Sequence, residues 1–253
     1  MIKIVITVIL VGLFSFFGFN QENLKDKQGR KQGEWVKYHE KSNVPVYEGQ
    51  FIDDKPVGKF TYYYPSNKIK AIVNHDPKTG RSEAYMYYEN KELLAHGIYI
   101  NKKKDSVWTH YTRGGNISFK ETYRNDTLHG KKIIYHTPEN PEALKGQPVQ
   151  EMIFENGVLE GPTKQYFPDG ALKLEGNYKD GKFDGVVKRY SPEGWLEHLE
   201  RYKDKKEHGW WILYDHNGKE LARKYYYKGN ALEGEELKTH MEKLKEEGGN
   251  PNH

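Results

Sequence analysis

The sequence predicts an all-β protein: one elongated, twisted antiparallel sheet of about eight tandem β-hairpin repeats, closed by a short C-terminal helix. Three observations predict it. A small residue followed five positions later by tyrosine recurs eight times, at Gly33/Tyr38, Gly58/Tyr63, Gly80/Tyr85, Ser106/Tyr111, Gly130/Tyr135, Gly161/Tyr166, Gly185/Tyr190 and Gly209/Tyr214. A second anchor, aromatic except at Val73, stands seven positions before a small residue, at Phe51, Val73, Tyr99, Tyr123, Phe154, Tyr178, Tyr202 and Tyr227. Turn-forming triplets fall between the anchors, as at Pro168-Asp169-Gly170, Pro192-Glu193-Gly194 and His216-Asn217-Gly218, where backbone at positive φ suits glycine.

Two short strands and two tight turns fill a period of about 24 residues, which is the length of a hairpin. A hairpin alone is marginal in water, so stacking against neighbours has to supply the missing burial. Composition agrees with a thin structure. Only 36% of residues are hydrophobic and 30% are charged, yet 20 are tyrosine, a side chain that buries a ring while its hydroxyl stays wet. The interval between the fifth and sixth small residues is longer than the others, and residues 136–150, with Pro138, Pro141 and Pro148, read as an inserted loop.

The ends read differently. Met1, Ile2 and Lys3 precede the uncharged apolar run Ile4 to Phe19, which turns abruptly polar at Asn20, so residues 1–20 read as a signal peptide or N-terminal anchor. Export to the periplasm, outer envelope or medium of a bacterial cell is the expectation. The repeat array then spans 21–234, and 235–253 form a helix and polar tail, with Leu237, Met241 and Leu244 at helical spacing. Such a helix would cover the exposed edge of the last hairpin.

Alternation along the first strand of each unit assigns two faces. The tyrosines Tyr38, Tyr63, Tyr85, Tyr111, Tyr135, Tyr166, Tyr190 and Tyr214 recur almost without change and are expected to form the ladder that holds the stack. The opposite parity carries Trp35, Phe60, Trp108, Val187 and Trp211 but also Ser82, Lys132 and Thr163. That variability makes Trp35, Phe60, Trp108 and Trp211 the candidate partner-binding residues.

Together these segments resemble the bacterial variant of the MORN repeat. The resemblance is carried by Gly58-Lys-Phe-Thr-Tyr-Tyr-Tyr-Pro-Ser-Asn67 and by Glu175-Gly-Asn-Tyr-Lys-Asp-Gly-Lys-Phe-Asp-Gly185. It implies consecutive hairpins in one long sheet and a role in protein or membrane contact rather than chemistry. Some relatives look like antitoxin or immunity proteins.

No catalytic constellation accompanies the repeats. The chain has no cysteine, no His-Glu-x-x-His and no Gly-x-Ser-x-Gly, so no catalytic, cofactor-binding or metal-ligating residue is assigned and no cofactor is expected. The row Asp105, His129, Glu160, Asp184, His208 and Glu233, just before the small anchors, would line one rim where charges pair or a cation is held. Forty basic against 36 acidic residues, interspersed, leave no basic stripe for nucleic acid and little adhesion to anionic lipid. A protein partner is the leading expectation for this non-enzymatic, scaffolding molecule. Glycan or cell-wall binding through aromatic rows and neutralisation of a toxin are the alternatives, and oligomeric state is open.

Overall fold

The computed structural model describes residues 22–137 and 146–252. The leader read at 1–20 and the central part of the inserted loop lie outside the described residues. The described residues form one open antiparallel sheet of 21 strands followed by a single helix, Gly234–Glu246, as the repeat pattern predicts. Each long strand pairs with the next in chain order.

One type of turn recurs at the tips of most units. The pairs Asp53/Asp54, Asn101/Lys102 and Asn125/Asp126 all have positive φ, between 50° and 69°. This is the twist-matched two-residue hairpin turn, and Asn or Asp tolerates it better than other non-glycine residues. Asn156-Gly157, Asp180-Gly181 and Lys228-Gly229 use the same geometry with glycine second. These tips also tie one hairpin to the one before. Asp126 N donates to Lys104 O at 2.9 Å, Gly157 N to Leu128 O at 2.8 Å, Gly181 N to Leu159 O at 2.9 Å and Gly229 N to Glu207 O at 2.9 Å.

The small anchor is a bulge. Between the pairs Gln50↔Val57 and Glu48↔Thr61, three residues, Gly58, Lys59 and Phe60, oppose Gly49 alone. Gly58 takes φ +66° and Ser106, at the same place two units later, φ +59°. The extra residues aim the next side chain back over the partner strand. A Cβ built on Gly49 would stand 2.5 Å from the Phe60 ring, and one on Gly97 2.1 Å from the Trp108 ring. Gly176 makes the same approach to Val187 at 2.9 Å. Glycine is therefore required at these three positions by close packing and not by φ.

The third unit departs from the sequence alignment. Its closing pair, equivalent to Tyr63↔Ile69 and Tyr111↔Ile117, is Tyr87↔Leu93, so Tyr87 and not Tyr85 occupies the ladder position. The loop Asp76–Gly80, closed by Asp76 N to Arg81 O at 2.8 Å and Gly80 N to Asp76 O at 3.0 Å, places Gly80 two residues ahead of the equivalent site. Here Ala84, opposite Val73 and Gly97, takes the position expected for Ser82.

The core lies on one face of the sheet, along a column of rings. Phe51 meets Phe60 at 5.1 Å, Phe60 meets His75 at 5.0 Å, and Tyr99 meets Trp108 at 4.9 Å. Further on, Tyr178, Phe183, Tyr202, Trp211 and Tyr226 follow one another at 4.4 to 5.5 Å. Lys31 and Lys104 lay their ammonium groups 4.6 Å above Trp35 and Trp108, so their stems shield a face that no second layer covers.

Gly97→Ala is expected to destabilise the array by about 2 to 3 kcal/mol, because the strand must move off the indole. Trp108→Leu in the same chain should recover part of that loss. Urea unfolding followed by far-UV circular dichroism checks the pair. Additive costs would show that Gly97 and Trp108 do not share one packing site.

Candidate functional site

Alternation divides the sheet into a ring face, just described, and a tyrosine face. The candidate contact residues fall on the ring face and are consumed by packing. Trp108 is 0% exposed and Phe60 is 2% exposed, so neither can meet a partner. Trp35 and Trp211 are half-buried. Each indole is also spent internally: Nε1 of Trp35 donates to Leu24 O at 3.1 Å, that of Trp108 to Ile98 O at 3.0 Å and that of Trp211 to Arg201 O at 2.9 Å. Of the four, Trp211 keeps an outlet, a shallow open depression of about 340 Å³ lined also by His198, Glu200, Leu213, Ala222 and Lys224.

The assignment of faces is therefore exchanged. The position that varies from unit to unit is the buried one, and its variation is compensated eleven residues earlier. Gly49 precedes Phe60, Gly97 precedes Trp108 and Gly176 precedes Val187, whereas Glu121 precedes Lys132 and Met152 precedes Thr163. In the Glu121/Lys132 unit an ion pair of 2.7 Å replaces the ring. Burial works to raise the Glu121 pKa, but hydrogen bonds from Lys132 and Tyr123 outweigh it and hold the carboxyl below its usual range. That eleven-residue complementarity was present in the sequence as a signal.

The ladder tyrosines lie on the other face and do not form a ring column. Tyr38 is 49% exposed. Their hydroxyls reach back across the sheet to charged groups: Tyr63 donates to Glu48, and Tyr190 to Glu175 at 2.8 Å, where Lys188 also pairs at 3.1 Å. Tyr135 has the Lys120 ammonium 5.9 Å from its ring. Tyr166 has its pKa raised by burial and by the charge of Glu151. Tyr85, off the ladder but on this face, stacks on His96 at 4.4 Å. Tyr87 and Tyr111 contribute backbone instead, accepting through their carbonyls from the hydroxyls of Tyr64 at 2.8 Å and Tyr88 at 3.0 Å. Tyr214 closes the last ladder turn opposite Glu220. The outcome is a half-open surface on which phenols alternate with carboxylates and ammonium groups.

The row of residues before the anchors does not converge. Glu160 accepts from Asp180 N at 2.8 Å, the nitrogen Nδ1 of His129 from Asn156 N at 3.4 Å and Asp105 from the Ser106 hydroxyl at 3.1 Å. His208 is buried, the N–H of Asp184 bonds Asn177 O, and Glu233 sits 3.6 Å from Lys224. Among the described residues no three His, Cys, Asp or Glu side chains come together to hold a metal ion. Nor is any described helix long and apolar enough to cross a membrane.

Burial, and then the Glu48 and Glu175 carboxylates, push the Tyr63 and Tyr190 hydroxyls up to about 12. In the unfolded chain tyrosine titrates near 10, so above that pH the unfolded state loses protons that the folded state keeps. The stabilisation is complete below about pH 10 and is lost as pH rises towards 12. Spectrophotometric titration at 295 nm should show a late phase in which Tyr63 and Tyr190 titrate together with other raised phenols such as Tyr123 and Tyr202, and Glu175→Gln should move one phenol out of that phase towards 10. A single unshifted tyrosine transition in the wild-type protein would contradict the pairing.

Segments 56–76, 159–180 and 183–204 match the MORN repeat variant family. The first takes in a bulged strand, Lys55–Tyr63, and its partner Ile69–His75, and the other two each end on a long strand, Leu172–Lys179 and Leu196–Lys203. No curated protein sequence matches the chain. Three segments of the hairpin array are therefore MORN-variant repeats.

Proposed function

We propose that this chain is a non-catalytic, exported repeat protein that binds a protein partner across its tyrosine face. The observation that supports it is the division of labour between the faces. One is filled by rings that hold the stack, while the other repeats half-exposed phenols beside carboxylates and ammonium groups along the array. Tyrosine suits such a surface: it offers a large rigid ring and a hydroxyl at low entropy cost on binding. Export is supported by the apolar leader sequence from Ile4 to Phe19. A non-catalytic role is supported by the three MORN-variant repeat matches and by an open sheet without a deep enclosed pocket among the described residues. The glycan reading relied on exposed aromatic rows, and Trp108 and Phe60 are buried while Trp35 and Trp211 are half-buried.

The test is photo-cross-linking in an envelope fraction with a benzophenone residue at position 59 or 164. The expected result is one defined protein, lost when Tyr63, Tyr166 and Tyr190 are replaced together by Ser. Unchanged cross-linking by that triple variant, with circular dichroism showing it folded, sinks the tyrosine-face assignment. Sedimentation with purified wall material that Tyr→Ser variants do not weaken would favour a glycan ligand instead.

A further inference from the structure

The helix Gly234–Glu246 rests on the tyrosine face of the last hairpin, and its seat differs from the contacts between hairpins. No residue of the helix is fully buried. Its polar anchor is an imidazole, beside the partly buried Leu237, Met241 and Leu244. His240 Nε2 shares a hydrogen bond of 3.2 Å with the Tyr225 hydroxyl, and its ring lies 4.4 Å from that of Tyr227 and 5.4 Å from that of Tyr225. Behind the helix, Asn252 accepts a hydrogen bond from Trp210 N at 3.2 Å. What it covers is large by comparison. Tyr225 is only 1% exposed and is flanked on its other side by Trp210, at 5.1 Å between ring centres. Gly234 and Gly248, at φ +55° and +66°, bracket the helix with backbone that can swing.

We propose that this helix is a displaceable cap, and that the aromatic patch of Trp210, Tyr225 and Tyr227 beneath it docks an amphipathic helix of the protein partner. The inference rests on the protein-binding reading above and names the kind of segment bound. The chain's own helix is the template. It carries Leu237, Met241 and Leu244 among Lys and Glu and sets one ring against the tyrosines. A competing helix with a fully apolar ring at the place of His240 gains burial that an imidazole forgoes.

The cap is also sensitive to protonation. His240 faces Tyr225 and Tyr227 from the strand Glu220–Tyr227, His208 from the segment preceding Gly209–Tyr214, Lys243 from its own helix and Glu247 just after it. Burial first, then His208 and Lys243, hold its pKa below the ordinary value near 6.5. The docked state keeps a neutral imidazole, so docking is at full strength above that pH. As pH falls below it, the undocked helix takes up a proton and release is favoured.

Hydrogen–deuterium exchange on the full chain at pH 7.5 and 5.5, corrected for intrinsic rates, tests the cap. Helix amides should exchange at least about tenfold faster than those of Gly209–Tyr214, more so at pH 5.5, and His240→Phe should remove the pH difference. Helix amides as protected as that strand at both pH values overturn the proposal. A fluorescent synthetic peptide of residues 234–252 tests the docking site. It should bind at least about tenfold more tightly to the full-length His240→Gly variant, whose helix loses the Tyr225 hydrogen bond and both ring contacts without any change to the sheet, than to the wild type. Equal or absent binding to both chains overturns it, and if the cross-linked protein is still captured, protein binding stands without this site. Peptide binding with no protein ever cross-linked would support the cap and remove the wider reading.

Discussion

Everything in this molecule depends on how a single sheet without a second layer hides its rings. The solution is local: a bulge of positive-φ backbone throws one large side chain back over the preceding strand, where a glycine leaves room for it. Phe60 over Gly49 and Trp108 over Gly97 are the clearest cases, and both end almost fully buried in a structure one sheet thick. A ring shielded above by a lysine stem and edgewise by the next ring loses most of its water without any covering domain. Where the glycine is absent, another pairing of complementary size or charge fills the same volume, as Glu121 and Lys132 do.

Because each such pair bridges adjacent strands, stability accumulates from neighbour to neighbour. The hairpin tips add a second coupling, since one N–H of most described tips bonds a carbonyl of the unit before. On the opposite rim, the hydroxyls of Tyr64 and Tyr88 do the same forward, to the carbonyls of Tyr87 and Tyr111. Three ties along the ring column and both rims keep the register between units, which matters because a slip of one residue would exchange the faces. The tyrosine face keeps its own cross-strand pairs, such as Tyr63 with Glu48 and Tyr190 with Glu175, and stays half-open.

The repeat length, the strand content, the turn chemistry and the terminal helix were all legible in the sequence, because each follows from local periodicity and from residues such as Asn101 or Gly181 that fit one backbone geometry. The assignment of faces was legible only in part. Tyrosine recurrence suggested a packing ladder, yet recurrence here marks a ring whose hydroxyl stays wet beside Glu48 or Glu175. The buried position varied because its volume is shared with a residue eleven places earlier, and a position-by-position reading treats such shared volume as freedom. The glycine spacing points to Tyr85 where the ladder holds Tyr87 for a similar reason: the loop at Asp76–Gly80 shifts the glycine by two residues while strand pairing keeps its own register.

By itself, the sequence determined that hairpins form, how many residues each takes and that they must lean on one another, since propensity, turn residues and the shortage of aliphatic side chains act over a few residues at a time. Only the tertiary structure decided which face is buried, which rings are spent on packing and where the C-terminal helix comes to rest on Tyr225 and Tyr227. Those outcomes depend on the two extra residues of each bulge and on which atoms then fall within van der Waals reach across strands. Such distances are fixed by the register of the whole sheet and not by any one segment.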